Sequence, residues 1–371
     1  MSNNCNSFLD EVMNLNDLPG LAIGVSAGDA DFVGVRGYRN YLARVPLQED
    51  DIFHCASVSK LFTSSAIMKL VEAGALHLED RLCALLPELH IADKRFEDIR
   101  LWNMLTHTSG LGDVSDYHWY DRETDADSLR RYIYESEEVL AQPMLWAPQE
   151  SPSTADSRFR YSNVAYEILG QIVAEYSRRM SDAEGSLSYE DFVARYLLAP
   201  SGMADSTMKT FERTGFPDFA GSERMTSPYE KKPDRSMGPV KDYPYTRQHA
   251  PSSTLTSTAG DLLRWGRAHL TSARGDGPLL KPGTYQTIWC DYATVPNNGE
   301  KMGIGWFMRK QEAAGKSYQL YGHEGTDDGF RASFWMCPEL DTVTVVLSNL
   351  SGAPVKRINK SLFQFIVETI A

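Results

Sequence analysis

A serine and a lysine stand three positions apart in Ser57-Val58-Ser59-Lys60, at the head of a strongly apolar stretch. The apolar residues predict a helix over 58–76, and their stripe is too wide for a surface helix. Residues three apart share a helix face, so the Lys60 amine can reach the Ser57 hydroxyl. Burial lowers the pKa of a lysine, because a charged amine is costly to remove from water. The pattern predicts Ser57 as nucleophile and Lys60 as its base.

Three other residues compete with Ser57 for the role of nucleophile. Ser206 heads a second Ser-x-x-Lys motif, but it follows turn-like sequence and no long apolar helix comes after it. Ser26 matches the Gly-x-Ser-x-Gly elbow of α/β-hydrolases, which needs a strand before it and a helix after it. Here a turn and a second strand are predicted to follow. We interpret Cys55 as a small buried neighbour of Ser57.

A tyrosine and an asparagine lie in Tyr161-Ser162-Asn163, directly before a predicted helix. The Tyr161 phenol can transfer protons if nearby cations such as Lys60 raise its acidity. The Asn163 amide can bind a substrate carbonyl or Lys60. Because Tyr-x-Asn is a weak motif by itself, its value depends on the serine and lysine upstream.

A third motif, Tyr321-Gly322-His323-Glu324-Gly325-Thr326, ends a predicted strand. Its glycines allow the backbone to approach a ligand closely. A lone histidine is more often structural than catalytic, so this motif too is modest evidence taken singly. It becomes informative only in combination with the other two.

These side chains must be positioned by an α/β fold, which we expect to be of the α+β type. Strands are predicted at both ends of the chain and helices between them. We expect one antiparallel sheet flanked by N- and C-terminal helices, with an inserted, mainly helical region. Residues 1–60 and 241–371 would form the sheet domain, residues 61–240 the helical domain, and the active site would lie between them. The predicted strands cover residues 21–26, 32–38, 304–308, 319–323, 331–336 and 342–348, and the closing helix covers 355–370.

Composition excludes several classes of function. The 371 residues carry a net charge of −13, which argues against non-specific binding to nucleic acid or to an anionic membrane. No apolar run is long enough for a membrane span, and no export signal is visible at the start. Five scattered cysteines without metal-type spacing favour reduced thiols. We therefore expect a cytoplasmic protein without metal or cofactor, and leave its oligomeric state open.

The three motifs together resemble the serine β-lactamase and penicillin-recognising family. The similarity is greatest to its class C-like branch of D-aminopeptidases, DD-carboxypeptidases, esterases and acyltransferases. It extends over nearly the whole chain, and the phrase Leu-Thr-His-Thr-Ser-Gly-Leu at 105–111 is quite specific to that branch. The resemblance implies a β-lactamase/transpeptidase-like fold and a serine that is acylated by its substrate.

The resemblance also implies roles for individual residues. Ser57 would be acylated, with Lys60 and Tyr161 sharing the general-base work. The backbone N–H groups of Ser57 and Thr326 would form an oxyanion hole, next to Gly325. Asn163 and His323 would contact substrate, and His107 would be a structural histidine. The following aromatic side chains are pocket candidates: Tyr117, Trp119, Tyr120, Tyr243 and Tyr245.

Two departures from the family narrow the expected function. His323 stands where many β-lactamases carry a lysine, and an imidazole is only partly charged at neutral pH, so a β-lactam carboxylate should bind weakly. Ser252-Ser253 stands where many relatives carry two glycines, a difference that we expect to alter a loop and not the chemistry. We expect a serine hydrolase or acyltransferase acting on an ester, thioester or amide of a small molecule, with a second acyl acceptor as an open option. β-Lactamase or D-amino-acid peptidase activity remains an alternative, as does a non-enzymatic binding relative.

Overall fold

A nine-stranded antiparallel sheet organises the computed structural model, which describes residues 2–121, 123–155, 158–180, 185–210 and 223–370. Its strand order is β3-β2-β1-β13-β12-β11-β10-β9-β8. The two ends of the chain meet at its centre, where Leu21 of one strand pairs with Ser348 of another. The sheet strands are β1 (Gly20–Ala27), β2 (Ala30–Asn40), β3 (Val45–Pro46), β8 (Ala293–Thr294), β9 (Lys301–Met302), β10 (Phe307–Ala313), β11 (Lys316–Asp327), β12 (Phe330–Cys337) and β13 (Thr342–Ser348).

Two small two-stranded sheets lie outside this sheet. One pairs β4 (Phe53–His54) with β7 (Thr256–Ser257), and the other pairs β5 (Tyr229–Lys231) with β6 (Met237–Pro239). The first small sheet matters for the site, because β4 leads directly to Ser57.

The mixed α/β fold with one antiparallel sheet is confirmed, with local corrections to the predicted bounds. Strand β11 does not end at His323 but continues to Asp327, and the helix predicted over 58–76 covers Ser59–Glu72. The strand predicted over 304–308 begins only at Phe307. Gly305 adopts a φ of 79°, and the Gly303 N–H donates to the Trp306 carbonyl at 2.9 Å. A tight turn therefore replaces the first residues of the predicted strand.

Helices cover both faces of the sheet. Side chains of β13 alternate in direction: Val346 packs in a cluster with the N- and C-terminal helices, while Val345 and Leu347 pack toward the helical region. Every residue of β13 is buried, as a strand covered on both faces must be. The helices are α1 (Ser2–Leu15), α2 (Ser59–Glu72), α3 (Leu82–Leu85), α4 (Leu101–Leu105), α5 (Ser128–Glu135), α6 (Glu137–Leu140), α7 (Asn163–Tyr176), α8 (Tyr189–Val193), α9 (Ala259–Arg274), α10 (Pro282–Ile288) and α11 (Val355–Ile370).

Helix α2 lies at the centre of the helical region, as its wide apolar stripe predicted. Its residues 59–68 are all buried, and it packs against α7 and α8. On the sheet side, Phe62 stacks on Trp265 of α9 with ring centroids 4.0 Å apart.

The predicted domain boundaries at residues 60 and 240 stay a prediction. Among the helices described, none combines the length and apolar character needed to cross a membrane.

Candidate active site

Ser57 lies in a short 3-10 turn, Ala56–Val58, immediately before α2. Ala56 has a φ of 48°, in the left-handed region that costs a residue with a side chain about 1 kcal/mol or more. Neighbouring hydrogen bonds hold this turn. The Ser59 hydroxyl donates to the Ala56 carbonyl at 2.7 Å and accepts from the Leu255 N–H at 2.9 Å. The turn fixes the direction of the Ser57 side chain at the entrance to α2.

Lys60 is fully buried and its amine has three hydrogen-bond acceptors. Its Nζ lies 3.2 Å from Ser57 Oγ, 2.6 Å from Asn163 Oδ1 and 2.8 Å from the Ser252 carbonyl oxygen. Burial lowers the pKa of Lys60 from 10.5 to about 8, although the carboxylates of Glu167, Asp113 and Asp327 act in the opposite direction. A measurable fraction of the amine is therefore neutral near pH 7 and able to accept a proton from Ser57.

Asn163 is oriented by Asp113, a residue that the sequence analysis did not single out. The Asp113 carboxylate accepts from the Asn163 backbone N–H at 2.8 Å and from its Nδ2 at 3.0 and 3.1 Å. Since a carboxylate only accepts, the amide nitrogen must face Asp113 and the amide oxygen must face Lys60. Asp113 thus selects the rotamer in which Asn163 receives the Lys60 amine.

Tyr161 precedes α7, whose N-cap Ser162 accepts from the Ala165 N–H at 3.1 Å. Burial raises the pKa of the Tyr161 phenol well above 10, against the opposing effect of its hydrogen bond with Ser57. The condition set for proton transfer, that nearby cations such as Lys60 raise the acidity of the phenol, is therefore not met. The cost of removing a phenolate from water outweighs the stabilisation that its hydrogen bond with Ser57 supplies. As a neutral phenol, Tyr161 can donate a proton.

His107 packs against the Tyr161 ring and the segment that carries it. Their rings stack with centroids 4.3 Å apart, and His107 Nδ1 accepts from the Ser162 N–H at 3.2 Å. Burial holds the pKa of His107 well below 6.5, so the imidazole is neutral. These contacts place His107 beneath the phenol, holding the segment that carries it.

His323, Gly325 and Thr326 lie on β11, opposite Ser57. A Cβ at Gly325 would collide with the Cys55 carbonyl oxygen, so the strand reaches the nucleophile turn only because this residue is glycine. Burial lowers the pKa of His323 from 6.5 to about 3. Its Nδ1 lies 2.5 Å from the Glu324 carbonyl oxygen, which can only accept, so Nδ1 carries the proton and Nε2 is an acceptor. The imidazole offers no positive charge to a substrate.

A cavity of about 450 Å³ connects these groups. Ser57, Tyr161, Asn163, His323 and Thr326 all line it. Its remaining wall is aromatic and acidic, and it is formed by Asp113, Tyr117, Phe159, Val295, Asn298, Glu300, Phe307, Glu324, Trp335 and Lys356. Lys356 lies 2.7 Å from Glu300, so the one lysine in the wall already has a carboxylate partner.

Most of the proposed pocket aromatics lie elsewhere. Trp119 and Tyr245 are buried outside this cavity, and Tyr120 is exposed, with its hydroxyl 2.5 Å from His118 Nδ1. Tyr243 packs on Phe330, away from the cavity. Of the five aromatic candidates, Tyr117 lines the cavity, and Trp119 stacks on it with ring centroids 4.7 Å apart. Spacing along an irregular loop does not reveal which ring faces the cavity. Residues 211–222 lie outside the described residues.

The competing residues have other partners. The Ser26 hydroxyl, on β1, accepts from Arg267 Nε of helix α9 at 2.6 Å, and a second strand rather than a helix follows β1. The Ser206 hydroxyl donates to Asp261 at 2.7 Å. Burial raises the pKa of the Cys55 thiol far above its ordinary value, so it is not a thiolate. Ser57 is the serine of the three that lines the cavity.

Glu167, a fully buried carboxylate on α7, is not among the site residues predicted from the sequence. A signal was present, because Glu167 stands alone among apolar residues in Tyr166-Glu167-Ile168-Leu169. A buried acid in such a stretch requires a polar partner, which the sequence does not identify.

The chain is similar to known proteins in sequence. A sequence model of the family described as Beta-lactamase matches residues 6–367. The chain is 25% identical to penicillin-binding protein 4 of Amycolatopsis lactamdurans, over 92% of this chain and 83% of that protein.

Solved structures share the fold. An octameric penicillin-binding protein homologue from Pyrococcus abyssi superposes with a TM-score of 0.77 at 23% identity, over 98% of this chain and 76% of that one. The D-amino acid amidase of Ochrobactrum anthropi SV3 superposes with a TM-score of 0.75 at 19% identity, over 100% of this chain and 99% of that one. This protein therefore belongs to the beta-lactamase family, whose members are serine hydrolases.

Proposed function

We propose that this protein is a serine hydrolase or acyltransferase that forms an acyl-enzyme on Ser57 from an ester, thioester or amide of a small molecule. One observation carries the proposal: the buried Lys60 amine, with a pKa of about 8, lies 3.2 Å from the Ser57 hydroxyl. A neutral amine at hydrogen-bond distance is the base that a serine nucleophile requires.

In the first step, Ser57 Oγ attacks the acyl carbonyl carbon while Lys60 Nζ takes the hydroxyl proton. The negative charge that develops on the carbonyl oxygen is stabilised by the backbone N–H groups of Ser57 and Thr326. Loss of one such donor typically costs about 10²–10³ in rate. The leaving group departs with a proton from Tyr161, which recovers one from Lys60.

In the second step, water or another acceptor attacks the acyl-enzyme. Tyr161 and Lys60 then act in the reverse direction, taking a proton from the acceptor and returning one to Ser57. Whether hydrolysis or transfer results depends on which nucleophile reaches the ester bond. A second, acyl-accepting substrate is therefore part of the proposal.

The neutral His323 favours esters over β-lactams. A β-lactam carries a carboxylate, and a hydrogen bond between that group and a cation contributes about 1.5–3 kcal/mol. With a pKa of about 3, His323 does not supply the cation. Activity on β-lactams or D-amino-acid derivatives stands as the alternative, because a penicillin-binding protein and a D-amino acid amidase are among the similar proteins.

The cytoplasmic location also stays a prediction.

Intact-protein mass spectrometry tests the proposal. The protein would be exposed separately to a short-chain aryl ester, a penicillin, a D-amino acid amide and a serine-reactive phosphonate. We expect the phosphonate to label wild type, Ser26→Ala and Ser206→Ala, but not Ser57→Ala. We expect turnover of the ester to exceed that of the penicillin. Labelling that survives in Ser57→Ala and is lost in Ser26→Ala would overturn the assignment of the nucleophile.

A further inference from the structure

The carbonyl group that binds Lys60 belongs to a serine whose hydroxyl binds a buried carboxylate. Ser252 accepts from Lys60 Nζ through its carbonyl oxygen at 2.8 Å. The same residue donates its hydroxyl to Glu167 Oε1 at 2.5 Å. Ser252 is fully buried, so both contacts lie out of water. One residue therefore joins Lys60 to Glu167, and a glycine at this position could not make the second contact.

Glu167 projects from α7 into the space behind Lys60. Its Oε1 also lies 3.0 Å from His249 Nδ1, so two groups converge on one carboxylate oxygen. Its Oε2 is buried and has no hydrogen-bond partner among the described residues. An incompletely satisfied carboxylate in the interior is costly to stability, which calls for a compensating role.

We propose that Glu167 is a positioning residue for the general base, acting on Lys60 through Ser252 and through its own negative charge. The hydrogen bond from the Ser252 hydroxyl to Glu167 holds Ser252 in the position in which its carbonyl oxygen accepts from the Lys60 amine. The carboxylate counters the burial that removes the proton from Lys60, and it is the strongest of the three carboxylates that do so. Glu167 thus keeps the amine basic enough to act on Ser57, since a base works best with a pKa near the working pH. The inference rests on the proposed function of Lys60.

Other ionisable groups surround Lys60 and Glu167 and form the electrostatic environment in which these two residues titrate. Around Lys60 these are Asp113, Asp327, His107, His323, Tyr161 and Tyr166. Around Glu167 they are His249, Tyr117, Tyr132 and Tyr189. Burial holds the pKa of His107 and His323 low and raises that of Tyr161, so none of these three titrates near pH 8. We assign a movement near pH 8 of the acid limb, the low-pH side of the kcat/KM profile, to Lys60, because the pKa of its amine is about 8.

The test is the pH dependence of kcat/KM for a neutral aryl ester in Glu167→Gln. Glutamine has the same shape and retains an oxygen that can accept from Ser252, but it lacks the charge. We expect the midpoint of the acid limb to fall by about one pH unit, because the carboxylate no longer favours the protonated amine. The value of kcat/KM on the plateau above the acid limb should fall about tenfold, since a less basic amine is a weaker general base.

Glu175→Gln is the matched control, because it makes the same change of charge two turns further along α7, at an exposed residue. Its acid limb should coincide with that of the wild type. If Glu167→Gln loses activity with an unmoved limb, or if both variants shift equally, the inference is overturned.

Ser252→Ala provides a second route should Glu167→Gln fail to fold. Without the hydroxyl, the pKa of Glu167 rises and the carboxylate is more often protonated, so the acid limb should move in the same direction by less. An unmoved limb in Ser252→Ala contradicts the inference. Phosphonate labelling of Ser57 is measured in parallel. If Ser57→Ala is no longer labelled but the acid limbs of Glu167→Gln and Ser252→Ala stay in place, the proposed function stands and the role of Glu167 is rejected. If labelling persists in Ser57→Ala, the proposed function itself is rejected.

Discussion

Asn163 Oδ1 lies 2.6 Å from Lys60 Nζ, closer than the Ser57 hydroxyl at 3.2 Å. The shortest hydrogen bond of the amine is therefore made to a group that does not react. Two acceptors, Asn163 and the Ser252 carbonyl, hold Nζ in place while its third contact is directed at Ser57. The lysine is positioned before substrate arrives, which is how a buried base avoids reorganisation during the reaction.

The pH profile should reveal Lys60 as the base. Below its pKa of about 8 the amine is protonated and cannot accept the Ser57 proton, so kcat/KM for a neutral ester should rise with pH to a limb centred near 8. The measurement is kcat/KM from pH 5 to 10, with a check that the protein stays folded throughout. A midpoint below pH 6 would assign the base to a different group.

Gly325→Ala should lower kcat/KM by about 10²-fold with the fold retained. The new Cβ would collide with the Cys55 carbonyl oxygen and push β11, with Thr326, away from Ser57. Gly283→Ala is the control, because a Cβ there meets no described atom within 4 Å. Circular dichroism and ester hydrolysis would be measured on both. Full activity in Gly325→Ala would show that the close approach is not required.

Ser206→Ala should reduce stability without affecting the chemistry. The Ser206 hydroxyl donates to the buried Asp261 carboxylate, and losing a donor to a buried charge costs about 1–3 kcal/mol of unfolding free energy. Urea unfolding and phosphonate labelling check the two parts. Ser236→Ala, on the surface, should change unfolding by less than about 0.5 kcal/mol. Loss of labelling in folded Ser206→Ala would contradict the structural role.

Tyr117→Ala should impair bulky substrates more than small ones. Tyr117 lines the cavity, and contact with a distant part of a substrate aids the reaction only when that part is present. We expect kcat/KM for a bulky aromatic acyl ester to fall about tenfold, and that for an acetyl ester to change little. The exposed Tyr120, changed to Ala, serves as the control and should leave both values unchanged. Equal losses on the two esters in Tyr117→Ala would indicate that Tyr117 only supports its loop.

The sequence by itself determined the elements and the main candidates for the chemistry. Residue periodicity is a local property, so it predicted β1, β2, β11 to β13 and α11, as well as the burial of α2. The Ser-x-x-Lys spacing predicted that the Lys60 amine reaches the Ser57 hydroxyl, because three residues span less than one helical turn.

The tertiary structure decided which side chains tune those groups. Asp113, Glu167 and Ser252 meet Asn163 and Lys60 only after α2, α7 and two loops have packed together. It also left the condition set for Tyr161 unmet and moved Trp119, Tyr120 and Tyr245 out of the pocket. Protonation depends on burial and on charges distant in sequence, and the facing of a ring on an irregular loop depends on its neighbours in space. Neither quantity is encoded in the local pattern of residues.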